Sequence, residues 1–170
     1  MEVLKATEND IEIIDNNIWV SITKDMVTVD IPCVFRIKTK TQRKETHEWA
    51  YILNDALERI RLFLKKEHEG IYKDLMLLDR LNDELMMSFT FVYPEDCKTN
   101  DIADNDNHYL KEVIDSFVWK FITTDNGLHL GLTSRSVKQG DKVHTVIQIY
   151  PFTNEYICLP DIHNNYSNNY

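Results

Sequence analysis

Apolar and polar residues alternate in two stretches of the first forty positions, which is the pattern of β-strands with one buried face. The segment IEIIDNNIWVSIT predicts two short strands around Asp15-Asn16-Asn17, because Asn and Asp tolerate the left-handed backbone of a tight turn. Between positions 27 and 37 every second residue is apolar, so a further strand is expected there. Pro32 lacks a backbone N–H and indicates an edge or a bulge in that strand.

A helical period replaces the alternation over residues 45–67, where apolar residues recur at steps of three and four. This spacing predicts one long amphipathic helix that packs on a sheet, and Gly70 is expected to end it. The apolar positions are Trp49, Ile52, Leu53, Ala56, Leu57, Ile60, Phe63 and Leu64. Residues 71–80 fit either a second helix or a strand, and we favour a helix to about Leu78. The run LMMSFTFVY after it has the composition of a strand.

The last third of the chain predicts one short helix, HYLKEVIDS, followed by three strands at 117–124, 128–136 and 142–150. Asn126-Gly127 and Gln139-Gly140 suit two-residue turns, so these strands are expected to form an antiparallel meander. The expected fold is therefore α+β: an antiparallel sheet with a C-terminal three-stranded meander, covered by one long amphipathic helix plus one or two short helices.

The size and composition of the chain predict a single globular unit. With 170 residues, 43% hydrophobic and 28% charged, the chain is long enough to bury a core without disulfide bonds. We expect one domain over residues 1–162 and a polar, disordered tail over 163–170. The first fifteen residues contain no apolar targeting segment, and the longest aliphatic run is too short to span a bilayer, so a soluble cytoplasmic protein without membrane association is expected.

The negative charge is concentrated in one part of the sequence. The net charge is −9, and residues 81–116 carry nine acidic side chains and two basic ones. Residues 31–44 carry five basic side chains and no acidic one. Five cations form too small a basic surface for general nucleic-acid binding, whereas the acidic segment suits a protein partner with a basic patch. The sequence does not predict the oligomeric state.

The most acidic stretch, KTNDIADNDNHYL, is open to three interpretations: a metal-binding loop, a solvated loop that caps a helix, and a docking surface. A twelve-residue calcium loop starting at Asp104 lacks the glycine of its sharp turn, where Tyr109 stands, and its closing bidentate Glu, where Asp115 stands. Asp106 or Asn107 is placed to cap a helix that begins at His108. We therefore expect no metal site. The candidate partner-binding residues are Asp96, Asp101, Asp104 and Asp106.

A second candidate site lies on the polar face of the predicted meander. Its expected register sets Arg135 opposite His144 and His129 opposite Tyr150, a group that could bind phosphate or carboxylate and supply acid–base chemistry. The same four residues also suit the solvated face of an ordinary antiparallel sheet. The sequence contains no phosphate loop, nucleophile motif or zinc-binding pair, and its three cysteines form no C-x-x-C pair, so no cofactor is expected.

Two functional classes follow from these patterns. The first is a non-enzymatic interaction protein, such as an inhibitor, immunity-type or adaptor protein, that docks through the acidic loop at residues 94–107. The alternative is a small enzyme or a phosphate or carboxylate binder that uses His129, Arg135, His144 and Tyr150. Because no catalytic motif occurs, the sequence favours the first class.

Overall fold

The structure is a computed structural model that describes residues 1–81, 84–99, 102, 110–123, 125 and 129–152. Within these residues the chain forms seven strands and three helices. The strands are β1 (Glu2–Ala6), β2 (Ile11–Asp15), β3 (Ile18–Ile22), β4 (Val27–Ile31), β5 (Leu85–Tyr93), β6 (Leu130–Lys138) and β7 (His144–Pro151). The helices are α1 (Lys40–Glu67), α2 (Glu69–Leu81) and α3 (Lys111–Phe117). The expected 163–170 tail lies outside the described residues.

The predicted turn between β2 and β3 is confirmed. Asp15 pairs with Ile18, which leaves Asn16 and Asn17 as the two-residue loop. Their φ angles are 51° and 64°, as a type I′ hairpin turn requires. The strand predicted over 27–37 is shorter than expected, because it ends at Ile31 immediately before Pro32.

The seven strands form one sheet in the order β1-β2-β3-β4-β7-β5-β6. All neighbouring strands are antiparallel except β5 and β6, which run parallel. An α+β fold with a mostly antiparallel sheet and one long helix is therefore confirmed. Among the helices described, none has the length and apolar character needed to cross a membrane.

The prediction of a C-terminal meander is wrong, because β5 lies between β6 and β7. The loop at 139–143 is long enough to pass over the end of β5 instead of turning back beside β6, and the Gln139 N–H bonds the Tyr93 carbonyl at 2.9 Å. The strand predicted at 117–124 is also wrong: Phe117 ends α3, and the N–H groups of Lys120, Phe121 and Ile122 all donate to the Phe117 carbonyl in a tight turn. The predicted Asn126-Gly127 turn lies outside the described residues.

The long helix begins earlier than the apolar period indicates. Thr39 is its N-cap, and a capping box joins the Thr39 side chain to the backbone N–H of Gln42 and the Gln42 side chain to the backbone N–H of Thr39. His68 ends α1 and α2 starts at Glu69, so the prediction that Gly70 ends the first helix is wrong. The helix preferred for 71–80 is confirmed by α2.

The helices cover one face of the sheet. Alternate residues of β2, β3 and β4 are buried on that face and join one apolar cluster with buried residues of α1 such as Leu57 and Ile60. Asp15 is also on this face, 4% exposed, and its carboxylate pairs with the Arg59 guanidinium of α1 at 2.6 Å. The side chains on the opposite face are only partly buried, so this outer face of the sheet is available for contacts.

Candidate functional site

The structure describes the beginning of the acidic segment. Asp96 lies in the exposed turn after β5, where the Cys97 N–H bonds the Pro94 carbonyl at 3.0 Å. Asp101, Asp104 and Asp106 lie outside the described residues. The expected cap on the following helix is wrong, because α3 begins at Lys111 and its N-cap is Leu110, which makes no side-chain capping bond.

The start of the acidic segment is fixed against the loop that joins β6 to β7. The Glu95 N–H donates to the Gly140 carbonyl at 3.2 Å. The Lys138 ammonium group hydrogen-bonds the Cys97 carbonyl. Gly140 has a φ of 74°, which a residue without Cβ adopts at no steric cost. Backbone bonds and a lysine therefore hold the first acidic side chains of the segment beside residues 139–143.

Residues 139–143 also form one wall of a cleft of about 370 Å³ at the end of the outer sheet face. Trp19 of β3, Asp30 of β4 and His144 of β7 line it, with Asp141 and Lys142 on the exposed loop. Because β4 lies between β3 and β7, these side chains come from three adjacent strands. The cleft is therefore formed by three strands of the sheet on one side and by the 139–143 loop on the other.

Asp30 and His144 form a hydrogen-bonded pair in this cleft. Oδ1 of Asp30 lies 2.7 Å from Nδ1 of His144, and their side chains are 35% and 30% exposed. An ionised carboxylate can only accept, so Nδ1 carries the proton of this bond. In the neutral imidazole Nε2 is then an acceptor. The pair can accept hydrogen bonds from a ligand, and no Ser, Thr or Cys is among the described residues that line this cleft.

The predicted alternative site is not assembled as the meander register required. Arg135 pairs with Thr90 of β5 and its Nε donates to the Thr90 hydroxyl at 3.2 Å, while His144 pairs with Val92. The predicted pairings of Arg135 with His144 and of His129 with Tyr150 are therefore wrong. Tyr150 is six residues from His144 on β7, about 20 Å along the strand, so these two side chains do not converge.

Two aromatic side chains are exposed near the place where α3 packs against α1. Trp119 is 78% exposed and has a φ of 66°, and Tyr51 of α1 is 74% exposed. Lys120, next to Trp119, donates from Nζ to Asn54 Oδ1 at 2.7 Å, which sets this turn one helical turn from Tyr51. Desolvation by burial lowers the pKa of Lys120, an effect that the nearby Glu58 opposes.

Sequence reasoning found His144 but missed Trp19 and Asp30 as its neighbours. The alternation over residues 27–37 placed Asp30 on the polar face of its strand, yet nothing in that pattern indicates that β7 inserts beside β4. Knowledge of the strand order would have revealed the group. Trp119 was missed because it was assigned to a strand.

In the part of the chain that the structure describes, no three His, Cys, Asp or Glu side chains are grouped as metal ligands. Comparison of the chain with models of known protein families, with curated proteins and with solved structures found no match.

Proposed function

We propose that this protein is a non-enzymatic interaction protein, of the inhibitor, immunity or adaptor type, which docks on a protein partner with a basic patch. The docking surface is the acidic segment at residues 94–107, with Asp96, Asp101, Asp104 and Asp106 as the contributing carboxylates. The observation that carries the proposal is the anchoring of Glu95 and Cys97 to residues 138–140. The anchored start of this segment, residues 95–97, loses little entropy when a partner binds.

The distribution of charge supports the same function. Nine of the acidic side chains lie in residues 81–116, and a field concentrated in this way orients an approaching basic protein. Rim charges of this kind mainly accelerate encounter, while their effect on the free energy of unfolding is small. The dispersed positions of Arg135, His144 and Tyr150 give the enzymatic alternative no comparable support.

The test is a kinetic comparison after a partner has been isolated from a lysate of the native host. The variant Asp101→Asn, Asp104→Asn, Asp106→Asn should associate about tenfold more slowly at low ionic strength and show a flatter salt dependence, with an unchanged melting temperature. Asparagine preserves the shape of each side chain, so the comparison isolates charge.

A matched control removes the same charge elsewhere: Glu2→Gln, Glu8→Gln, Asp25→Asn, at three exposed positions. This control should retain most of the wild-type association rate. Equal rates for the two triple variants would contradict docking through the acidic segment and would assign the effect to net charge alone.

A further inference from the structure

Trp19 and Asp30 are directly opposite one another in adjacent antiparallel strands, on the outer face of the sheet. Side chains in this relation have Cβ atoms about 5 Å apart. A flat group that lies against the indole of Trp19 is therefore within reach of the Asp30 carboxylate. The two strands fix this spacing before any ligand arrives.

The Asp30 carboxylate has hydrogen-bonding capacity left for a ligand. Its Oδ1 atom accepts from His144, and its Oδ2 atom makes no hydrogen bond with another described residue. A carboxylate can accept several hydrogen bonds, and a ligand that supplies charged N–H donors makes the stronger type. The bond from His144 also holds the carboxylate in one orientation.

The charges around the cleft favour a cation over an anion. Carboxylates outnumber ammonium groups on and beside the 139–143 loop. The exposed carboxylates are Glu95, Asp96 and Asp141, in addition to Asp30 in the cleft, and the exposed lysines are Lys98, Lys138 and Lys142. The chain as a whole carries a net charge of −9, which adds to the local field. A phosphate or carboxylate would have to approach against this field.

We propose that this cleft binds a guanidinium group, stacked on the indole of Trp19 and hydrogen-bonded to the carboxylate of Asp30. The guanidinium ion suits the two walls because it is planar, stacks on aromatic faces and presents a fork of N–H donors that matches a carboxylate. A volume of about 370 Å³ is near the lower limit of small-molecule sites, and it accommodates this group with its alkyl chain.

The guanidinium group has two sources, a free small molecule or an arginine side chain of a protein. Agmatine represents the first source and the peptide acetyl-Gly-Arg-Gly-amide represents the second. Each is titrated by calorimetry into the full chain. If the cleft serves free guanidines, agmatine should bind at least as tightly as the peptide; tighter binding of the peptide would indicate an arginine presented by a protein.

Selectivity is tested with the citrulline peptide, which has nearly the same shape and no charge. It should bind at least about tenfold more weakly than the arginine peptide, because a charge-assisted bond is lost. Equal binding of the two peptides, or tighter binding of inorganic phosphate, would overturn the proposal. An absence of saturable binding by either guanidinium probe at about 10 mM would do the same.

The site is tested with Asp30→Asn, since the asparagine oxygen can still accept the bond from His144. This variant should weaken binding of the arginine peptide about tenfold, and Trp19→Leu should weaken it several-fold. Asp25→Asn removes the same charge at an exposed position outside the cleft and should change binding less than twofold. If Asp25→Asn weakens binding of the arginine peptide as much as Asp30→Asn does, the peptide does not bind through the Asp30 carboxylate. Because no partner protein is present, the result is independent of the docking function proposed above.

Discussion

The thiol of Cys33 is 3% exposed in the apolar core, and desolvation by burial raises its pKa from 9.0 to about 12. Only the thiolate reacts with alkylating agents, so at pH 8 the native chain should be labelled at the half-exposed Cys97 well before Cys33. Mass spectrometry after iodoacetamide treatment measures both sites. The difference should disappear in concentrated urea. Rapid labelling of Cys33 in the native chain would contradict its burial.

The raised pKa also means that the Cys33 thiol contributes to the stability of the fold below about pH 9, and this contribution is lost as the pH rises towards 12.

Trp119 has a left-handed backbone although it carries a Cβ atom, and its side chain is 78% exposed. A non-glycine residue in this conformation is strained by about 1–2 kcal/mol. We therefore expect Trp119→Gly to be about 1 kcal/mol more stable than Trp119→Ala, which keeps the Cβ atom. Urea denaturation of both variants measures the difference. Equal stability of the two would show that the turn is unstrained.

Among the described residues, the two-residue turn that the sequence predicted correctly is Asn16-Asn17. Asn16 and Asn17 have left-handed φ angles because asparagine tolerates this backbone conformation, and a two-residue hairpin turn between two strands requires it at both positions. Trp119 carries no such signal, because bulky residues rarely adopt that conformation and the run FVWKFIT has strand composition. Its conformation is accompanied by a local turn bond from its own N–H to the Ile122 carbonyl, at 2.7 Å.

At the level of the element, the capping box at the start of α1 allows a direct test of how much the cap stabilises that helix. Thr39→Ala should lower the free energy of unfolding by about 1 kcal/mol, because the Gln42 N–H loses its partner. Thr39→Ser should retain most of the stability. Thr41→Ala, an exposed change in the first turn, is the control and should have a smaller effect than Thr39→Ala. If Thr41→Ala lowers the free energy of unfolding as much as Thr39→Ala does, the loss does not come from the cap.

The helices were predictable where an apolar period exists. Residues 45–67 have one, whereas the first five residues of α1, Lys-Thr-Gln-Arg-Lys, are polar and were missed. The T-x-x-Q spacing of Thr39 and Gln42 was a signal that could have placed the start correctly. Gly70 misled the prediction because a break at His68 had already separated the two helices.

At the scale of the whole molecule, periodicity predicted which face each strand buries but not which strands are neighbours. Each of β6 and β7 has the same polar and apolar faces whether the two strands are neighbours or β5 lies between them. In both arrangements alternate residues of a strand point to the same side of the sheet. The crossing of residues 139–143 over the end of β5 decides between them, and the sequence of this loop resembles an ordinary turn. The candidate cleft was unpredictable for the same reason.

The position of β7 also affects how the chain folds during synthesis. This strand is the only connection in the sheet between β1–β4 and the β5–β6 pair, and it is the last strand described along the chain. While a ribosome is still making it, the edges of β4 and β5 are both unpaired, and contacts between sequence-distant strands form slowly. Two strand edges of the nascent chain therefore stay open to pairing with other chains until Pro151 has left the exit tunnel, and this exposure favours aggregation during synthesis.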